Sequence, residues 1–327
     1  MTSVLVLGAT GFIGGQIARA ALQAGWSVAG LRRNPTAVGQ LSDLPIKWFQ
    51  GNINQAETLQ QAMQGSQLVF HAAGYYPPGN DPGKTPLFTA QAAREMGSVI
   101  RAAEQSGVEK LLFTSSLSTI GLPPEEENRL ADERDKYQKG SLPTNGYYES
   151  KIIQEELALT ANQSGLPTII LNPTLVFGPG DVHHSTGEIL LAIAHGKAKA
   201  VPSGVINIID VRDAAAAHIN AARQGKPGQR YILGGENYSV REAAAVIASE
   251  AGVPPPWFSI PPRLIDIYLT LSDSLAVLPD APFHLQAHRR WQGYNTAKAV
   301  RELDLQTRPL EKTVQDSLQW FRTQGAL

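Results

Sequence analysis

Cysteine is absent from the chain, which excludes disulfides, thiolate metal sites and cysteine nucleophiles. An excess of either charge is also lacking: the formal net charge is -1, and this balance does not favour nucleic acid or an anionic membrane as a partner. The longest uncharged stretch, residues 157–180, is interrupted by Pro167 and Pro173 and cannot span a membrane as a helix. Since the first strand is expected to begin at about Ser3, we expect no signal peptide and a cytoplasmic location.

A glycine-rich turn stands between the first apolar run and a helical pattern. The run from Val4 to Leu7 is typical of a buried strand, and glycines follow it at positions 8, 11 and 14. Glycine at these points permits a tight turn, a close approach of the backbone to a pyrophosphate, and close packing of helix on strand. The unpaired N–H groups of the helix then face the phosphates. We therefore predict a dinucleotide site made by Gly8, Thr10, Gly11, Phe12, Ile13 and Gly14.

A tyrosine and a lysine four residues apart indicate proton transfer. On a helix, Tyr147 and Lys151 share one face, so the ammonium group lies beside the phenol hydroxyl. A free phenol has a pKa of about 10, and a neighbouring cation lowers it by favouring the phenolate. Such a pair also occurs by chance on helix surfaces, but together with the glycine-rich turn it predicts hydride and proton chemistry. Tyr148 is three residues from the lysine and is the less suitable base.

Two arginines at the end of the second predicted strand bear on the choice of cofactor. Arg32 and Arg33 close the strand, and no Asp or Glu stands nearby. An acid at this point binds the ribose 2′-hydroxyl of NAD and repels a 2′-phosphate, whereas guanidinium groups hold that phosphate by charge-assisted hydrogen bonds. We therefore predict NADP in preference to NAD, and the alternative is a pair of solvated arginines.

The chain as a whole alternates predicted strands and helices, which is typical of a doubly wound parallel sheet. Strands are predicted near residues 3–9, 27–32, 46–50, 67–73, 110–116 and 167–172. We therefore expect an α/β protein with a Rossmann-type NADP-binding domain over residues 1–174, to which segments within about 206–235 return. Residues 175–205 and 236–327, where short segments and prolines dominate, are expected to form mainly a smaller C-terminal substrate lobe.

Some polar motifs have structural interpretations. Asp213 is expected to cap a helix, and Ser239 with Glu242 has the spacing of a capping box. His183 and His184 are not accompanied by further ligands at zinc spacing, so we predict no metal site.

These motifs resemble those of the short-chain dehydrogenase/reductase superfamily, in particular its extended branch, the NAD-dependent epimerase/dehydratase family. The resemblance covers nearly the whole chain and is greatest to dihydroflavonol-reductase-like proteins and hopanoid-associated sugar epimerases, with residues 230–237 as the most specific segment. It implies that Ser116 is the catalytic serine beside Tyr147 and Lys151, with Ser115 as the alternative. It also implies cofactor contacts from Asn52, Ile53, Ala72, Ala73, Gly74, Tyr147, Lys151 and Pro173, with Lys151 binding the nicotinamide ribose.

The resemblance implies hydride transfer at a carbonyl or alcohol of a bulky small molecule, with Tyr147 as proton donor or acceptor. Two alternatives stay open: a nucleotide-sugar epimerase or dehydratase that retains its cofactor, and an NADP-sensing protein without turnover. Ala92 stands where relatives often carry an asparagine of the proton relay, so this relay is expected to be altered or lost. Relatives often pair through helices of the first domain, which makes a homodimer a further expectation.

Overall fold

The fold is described from a computed structural model of the chain, for residues 1–74, 82–142, 144–183, 185–196, 198–274 and 288–327. Twelve strands lie in these ranges: β1 (Ser3–Leu7), β2 (Ser27–Arg32), β3 (Lys47–Gln50), β4 (Leu68–His71), β5 (Lys110–Thr114), β6 (Thr168–Pro173), β7 (Leu175–Phe177), β8 (Ala200–Pro202), β9 (Val205–Asp210), β10 (Arg230–Leu233), β11 (Glu236–Ser239) and β12 (Phe258–Ile260). Ten helices lie there: α1 (Phe12–Gln23), α2 (Ala56–Met63), α3 (Thr85–Gln105), α4 (Gly146–Gln163), α5 (Gly187–Ala194), α6 (Val211–Gln224), α7 (Val240–Ala251), α8 (Pro262–Ser274), α9 (Ala297–Leu303) and α10 (Leu310–Thr323).

Seven strands form one sheet in the order β10-β6-β5-β4-β1-β2-β3. Every neighbouring pair is parallel. Both faces of the sheet are buried, which accounts for the nearly continuous apolar sequence of strands such as β1 and β5. The predicted Rossmann-type sheet is confirmed. β1, β4 and β5 end two residues earlier than predicted, because the chain turns into loops at Gly8, Ala72 and Ser115.

Helices cover both faces of this sheet. α1 and α6 pack on one face, around side chains such as Val6 and Phe70. α2, α3 and α4 lie over the other face, around Leu7 and Phe113. Successive residues of a strand therefore serve two separate cores. By this alternation His71, the last residue of β4, belongs to the face of α3 and α4.

A smaller unit contains the remaining strands. β11, β9 and β7 form a three-stranded sheet, β8 pairs with β12, and α5, α7 and α10 pack around Phe177, Ile208 and Phe321. The segment at 206–235 divides between the two units: α6 packs on α1 and β10 pairs with β6, whereas β9 joins β7 and β11. β9 does not join the large sheet, because β10 already occupies the edge of β6. The domain boundaries themselves stay a prediction.

Two helix starts test the capping motifs. Asp210 caps α6, because its side chain accepts a hydrogen bond from the N–H two residues ahead at 2.8 Å. The cap assigned to Asp213 was therefore wrong: this residue lies in the first turn, where its carboxylate accepts from the backbone N–H of Arg308 at 2.7 Å. The capping box of α7 is confirmed, with hydrogen bonds of 2.8 and 3.1 Å between Ser239 and Glu242.

Candidate active site

The glycine-rich turn brings two strand ends into contact. Gly8 has a φ of +90°, in the left-handed region that favours glycine, and its carbonyl oxygen accepts from Gly11 N at 2.9 Å. A Cβ at Gly14 would lie 2.2 Å from that oxygen, so glycine is what lets α1 start this close to β1. A Cβ at Gly8 would meet the backbone of Ala72 and Ala73 at 2.8 Å. The turn after β1 therefore packs directly against the loop after β4.

The N-terminus of α1 suits an anionic ligand. Gly11 is the N-cap residue and makes no side-chain cap, so the N–H groups of Phe12, Ile13 and Gly14 have no capping side chain in the described part of the chain. Thr10 precedes them in the turn and is partly buried. Unpaired N–H groups and the positive end of the helix dipole together attract a phosphate. The residues of this turn therefore fit the pyrophosphate of a dinucleotide.

The two arginines differ in their surroundings. The Arg32 guanidinium carbon lies 5.1 Å from the ring centre of Trp48, and its Nη1 donates to the carbonyl oxygen of Ala37 at 3.3 Å. Arg33 is exposed. In the ranges that the structure describes, neither forms an ion pair with an acidic side chain. Both guanidinium groups are therefore available to an anion, and the stacking on Trp48 holds Arg32 in place.

The loops after β3 and β4 continue this edge of the sheet. Gly51 N donates to the carbonyl oxygen of Arg32 at 3.0 Å, which places the loop after β3 beside the end of β2. Asn52 Oδ1 accepts from the N–H two residues ahead at 3.1 Å, and Ile53 packs against the core under α2. Gly74 is exposed in the loop after β4. Contacts of these residues with an adenine ring stay a prediction.

Tyr147 lies in the first turn of α4. This helix is capped by Asn145, whose Oδ1 accepts from Tyr148 N at 3.1 Å. Tyr147 is half-buried, whereas Tyr148 is 6% exposed, and the two ring centres are 6.1 Å apart. Burial raises the pKa of Tyr148, so its phenol is the poorer proton donor. This difference favours Tyr147 as the residue that exchanges a proton with substrate.

Lys151 lies one turn further along the same face of α4. Its side chain is buried, its Nζ donates to the carbonyl oxygen of Thr114 at 3.2 Å, and Nζ lies 5.2 Å from the ring centre of Phe113. Burial lowers the pKa of Lys151 to about 8, and the carboxylate of Glu155 opposes this shift. The helix thus holds an ammonium group, with a pKa near neutrality, at the end of β5.

The two serines after β5 have different hydrogen bonds. Ser115 is 5% exposed, and its Oγ donates to Glu155 Oε2 at 2.6 Å. Ser116 is partly buried, and its Oγ accepts from Ser118 N at 3.1 Å, which leaves its O–H as a donor. A hydroxyl already used in a buried hydrogen bond is less suited to hold a substrate oxygen. The arrangement favours Ser116 over Ser115, and the role of Ser116 stays a prediction.

A buried polar network below the site is a feature that the sequence reasoning missed. Glu155 Oε2 accepts from Thr119 Oγ1 at 2.8 Å and from Asn172 Nδ2 at 2.9 Å, while Oε1 lies 2.5 Å from Arg230 Nε. The network joins α4, the turn after β5, β6 and β10. Its signal in the sequence is the position of Glu155, four residues after Lys151 and therefore on the same helix face.

The remaining predicted residues are Pro173, Ala92 and the two histidines. Pro173 is buried at the end of β6 opposite Leu233, and Ala92 is fully buried within α3. His183 is exposed, and His184 lies outside the described residues. Within the described ranges, no group of three or more His, Asp or Glu side chains is placed to hold a metal ion. Nor is any helix of these ranges long and apolar enough to cross a membrane.

Comparison with known proteins gives consistent relationships. The family model described as the NAD dependent epimerase/dehydratase family matches residues 4–234. The chain is 33% identical to a putative dihydroflavonol 4-reductase of Synechocystis sp., over 98% of this chain and 94% of that protein. The crystal structure of gox2253 superposes with a TM-score of 0.87 at 29% identity, covering 100% of this chain and 99% of that one. PA4631 of Pseudomonas aeruginosa, described as a nucleoside-diphosphate-sugar epimerase, has a TM-score of 0.86 with coverage of 100% and 99%; at 24% identity it shows the fold alone.

Proposed function

Because the chain belongs to the NAD-dependent epimerase/dehydratase family, we propose that it is an NADP-dependent oxidoreductase acting on a carbonyl or alcohol of a bulky small molecule. Family membership makes it an NAD(P)-dependent enzyme of the extended short-chain dehydrogenase/reductase type, with a small molecule as substrate. The observation that carries the proposal is the pairing of half-buried Tyr147 with buried Lys151 on one face of α4, at the end of β5.

In the direction of reduction, Tyr147 donates its phenolic proton to the substrate oxygen while Ser116 holds that oxygen by a hydrogen bond. The nicotinamide cofactor, when bound, supplies the hydride that reaches the substrate carbon. Lys151 places a positive charge on the helix face that carries Tyr147, and its hydrogen bond to the Thr114 carbonyl oxygen fixes it one turn further along α4. In oxidation the same residues act in reverse, with Tyr147 as the proton acceptor.

The preference for NADP is supported by the end of β2. Arg32 is held against Trp48 and Arg33 is exposed beside it, so two cations are available where NAD-binding sites place an acid. A 2′-phosphate is doubly charged near neutrality and forms strong bonds with guanidinium groups.

The experiment is a screen of bulky ketones and alcohols, with NADPH, NADP, NADH and NAD, followed at the nicotinamide absorbance. Net consumption of NADPH is expected, and Tyr147→Phe should lower kcat at least about hundredfold without loss of NADPH binding, because only the proton donor is removed. Tyr148→Phe is the matched control, with kcat close to the wild-type value. Full activity of Tyr147→Phe would refute the assignment.

The same screen distinguishes the proposed reductase from an epimerase. In such an enzyme the cofactor is regenerated within one turnover, so UDP-sugars would interconvert without net consumption of NADPH. The relative at 33% identity is described as a reductase, whereas the epimerase PA4631 is a likeness of fold. Conversion without net consumption would replace the proposed reductase, and NADPH binding without any conversion would leave a sensing protein. A homodimer and a cytoplasmic location stay predictions.

A further inference from the structure

The smaller unit carries an exposed apolar surface where β12 passes into α8. Trp257 is 72% exposed, Phe258 56% and Leu264 55%. Ile267 lies three residues further along α8 than Leu264, on the same helix face, and is 55% exposed as well. Exposed large apolar side chains are unremarkable when scattered singly, but a group of them marks an interaction surface. We call these four residues the apolar patch.

The two-stranded sheet holds the backbone of the apolar patch in place. Trp257 N donates to the carbonyl oxygen of Lys199 at 2.9 Å, and β12 pairs in parallel with β8 from Phe258 onwards. α8 begins two residues after β12 ends, and Ile265 is 3% exposed. Because Ile265 turns one face of α8 inward, the face with the apolar patch points to solvent. The four side chains are therefore presented together on regular secondary structure.

The charges beside the apolar patch are positive. Residues 195–205 contain two lysines and no acid, and residues 251–265 contain Arg263 and no acid. Lys199 and Arg263 are exposed, and neither forms an ion pair among the described residues. Asp266, the first acid of α8, is already ion-paired. The net charge of -1 therefore conceals a local cationic surface, and the expectation drawn from it does not extend to this part of the molecule.

Two other occupants of the apolar patch are disfavoured. A symmetric dimer through the patch would bring Lys199 and Arg263 close to the same residues of the second copy, because a twofold contact uses one surface twice. Like charges brought together oppose such a dimer. An added strand from another protein is disfavoured as well, because β12 has only three residues and lies between Pro256 and Pro261.

We propose that the apolar patch docks the smaller unit onto a lipid bilayer with anionic headgroups. Trp257 and Phe258 enter the boundary between headgroups and acyl chains, a region that aromatic side chains favour. Lys199 and Arg263 lie beside negatively charged headgroups, and salt screens their attraction. The contact is peripheral, since no helix of the described residues can cross a bilayer. This inference goes beyond the proposed oxidoreductase and holds whichever reaction the candidate site performs.

Cosedimentation of the whole protein with lipid vesicles tests the proposal. We expect binding to vesicles of phosphatidylcholine mixed with phosphatidylglycerol, and at least about tenfold weaker binding to phosphatidylcholine alone, because a basic residue near an anionic surface is worth about fivefold in affinity. Trp257→Ala combined with Leu264→Ser should weaken binding to the mixed vesicles at least about tenfold, because the apolar anchor is removed. Val300→Ser, at an exposed aliphatic position on α9, is the control and should bind as the wild type does. Wild-type protein that binds neither kind of vesicle, or a double variant that binds equally well, would overturn the proposal.

Charge variants test the headgroup contacts separately. Lys199→Gln combined with Arg263→Gln should remove the preference for the mixed vesicles, whereas Lys47→Gln, exposed on β3 at the far edge of the large sheet, should keep it. A preference that survives the loss of both cations would contradict the assigned contacts and overturn the proposal.

The oligomeric state, measured by light scattering without vesicles, decides between a bilayer and a second copy. Self-association that is present in the wild type and lost in Trp257→Ala would assign the apolar patch to a second copy and overturn the proposal; the same oligomeric state in both proteins is expected. All of these substitutions are at exposed side chains, so each variant should keep the wild-type Tm, which shows that a loss of binding is not a loss of folding.

Discussion

Replacing Glu155 by glutamine removes the charge that faces buried Arg230, and we expect it to destabilise the protein by about 3 kcal/mol. The Glu155 Oε1 and Arg230 Nε atoms are 2.5 Å apart, and the two side chains are 6% and 4% exposed. Removing one partner of a buried pair leaves an uncompensated charge, at a cost of about 3–5 kcal/mol. Glutamine keeps an oxygen that can accept from Ser115 and Thr119, which bond to Glu155 Oε2, so the lower end of this range applies.

The assay is thermal unfolding at neutral pH, with Glu156→Gln as the matched control. Glu156 is exposed on the same helix, so its variant removes the same charge without creating a buried cation. A loss of about 3 kcal/mol, at roughly 2 °C for each kcal/mol in a chain of this size, predicts a Tm lower by about 6 °C. The control should stay within about 1 °C of the wild type. If Glu155→Gln and Glu156→Gln have the same Tm, the buried pair does not stabilise the fold and the argument from its burial fails.

The remaining predictions concern pH and cofactor choice. The pKa of Lys151, about 8, predicts that kcat falls as the pH rises through this value, because the deprotonated lysine no longer favours the phenolate of Tyr147. Glu155→Gln should move that fall to lower pH, since the Glu155 carboxylate raises the lysine pKa; an unchanged pH profile of kcat would contradict this coupling. Arg32→Asp should weaken NADPH binding at least about tenfold and leave NADH binding equal or tighter, because the carboxylate repels the 2′-phosphate. Fluorescence titration measures both affinities, and unchanged discrimination between the two cofactors would argue against Arg32 as the phosphate ligand.

The large sheet could be predicted from the sequence because its strands are buried on both faces. Each such strand is a short apolar run followed by a turn or loop, and both signals are local. The place of β9 could not be predicted in the same way. Its sequence reads as another buried strand, but the sheet that it joins depends on pairing with β7 and β11, and neither partner is local to it. The residue that caps α6 could not be predicted from side-chain type either, because Asp210 and Asp213 are both aspartates. The point at which the backbone becomes helical makes Asp210 the cap.

Some residues of the candidate site could likewise be predicted from local sequence, and others could not. Gly8, Gly11 and Gly14 lie close together where β1 passes into α1, and Tyr147 and Lys151 lie within α4, so their spacing alone indicates their geometry. Arg230 carries no such local signal. It becomes part of the site through Glu155, which is distant in the chain. Its contribution follows only from the order of the strands, which brings β5, β6 and β10 side by side.

Thr114, the last residue of β5, joins the two helical layers at the candidate site. Its carbonyl oxygen accepts from Lys151 on α4, while its Oγ1 bonds to His218 Nε2 on α6, across the sheet. Because a carbonyl oxygen can only accept, His218 Nδ1 must carry the proton that bonds to Ala214, and Nε2 must therefore accept from the threonine hydroxyl. Burial keeps the pKa of His218 near 4, so this tautomer persists at neutral pH. The lysine thus takes its position from a residue anchored by the opposite layer, and a substitution in α6 that shifts His218 would act on proton transfer without touching α4.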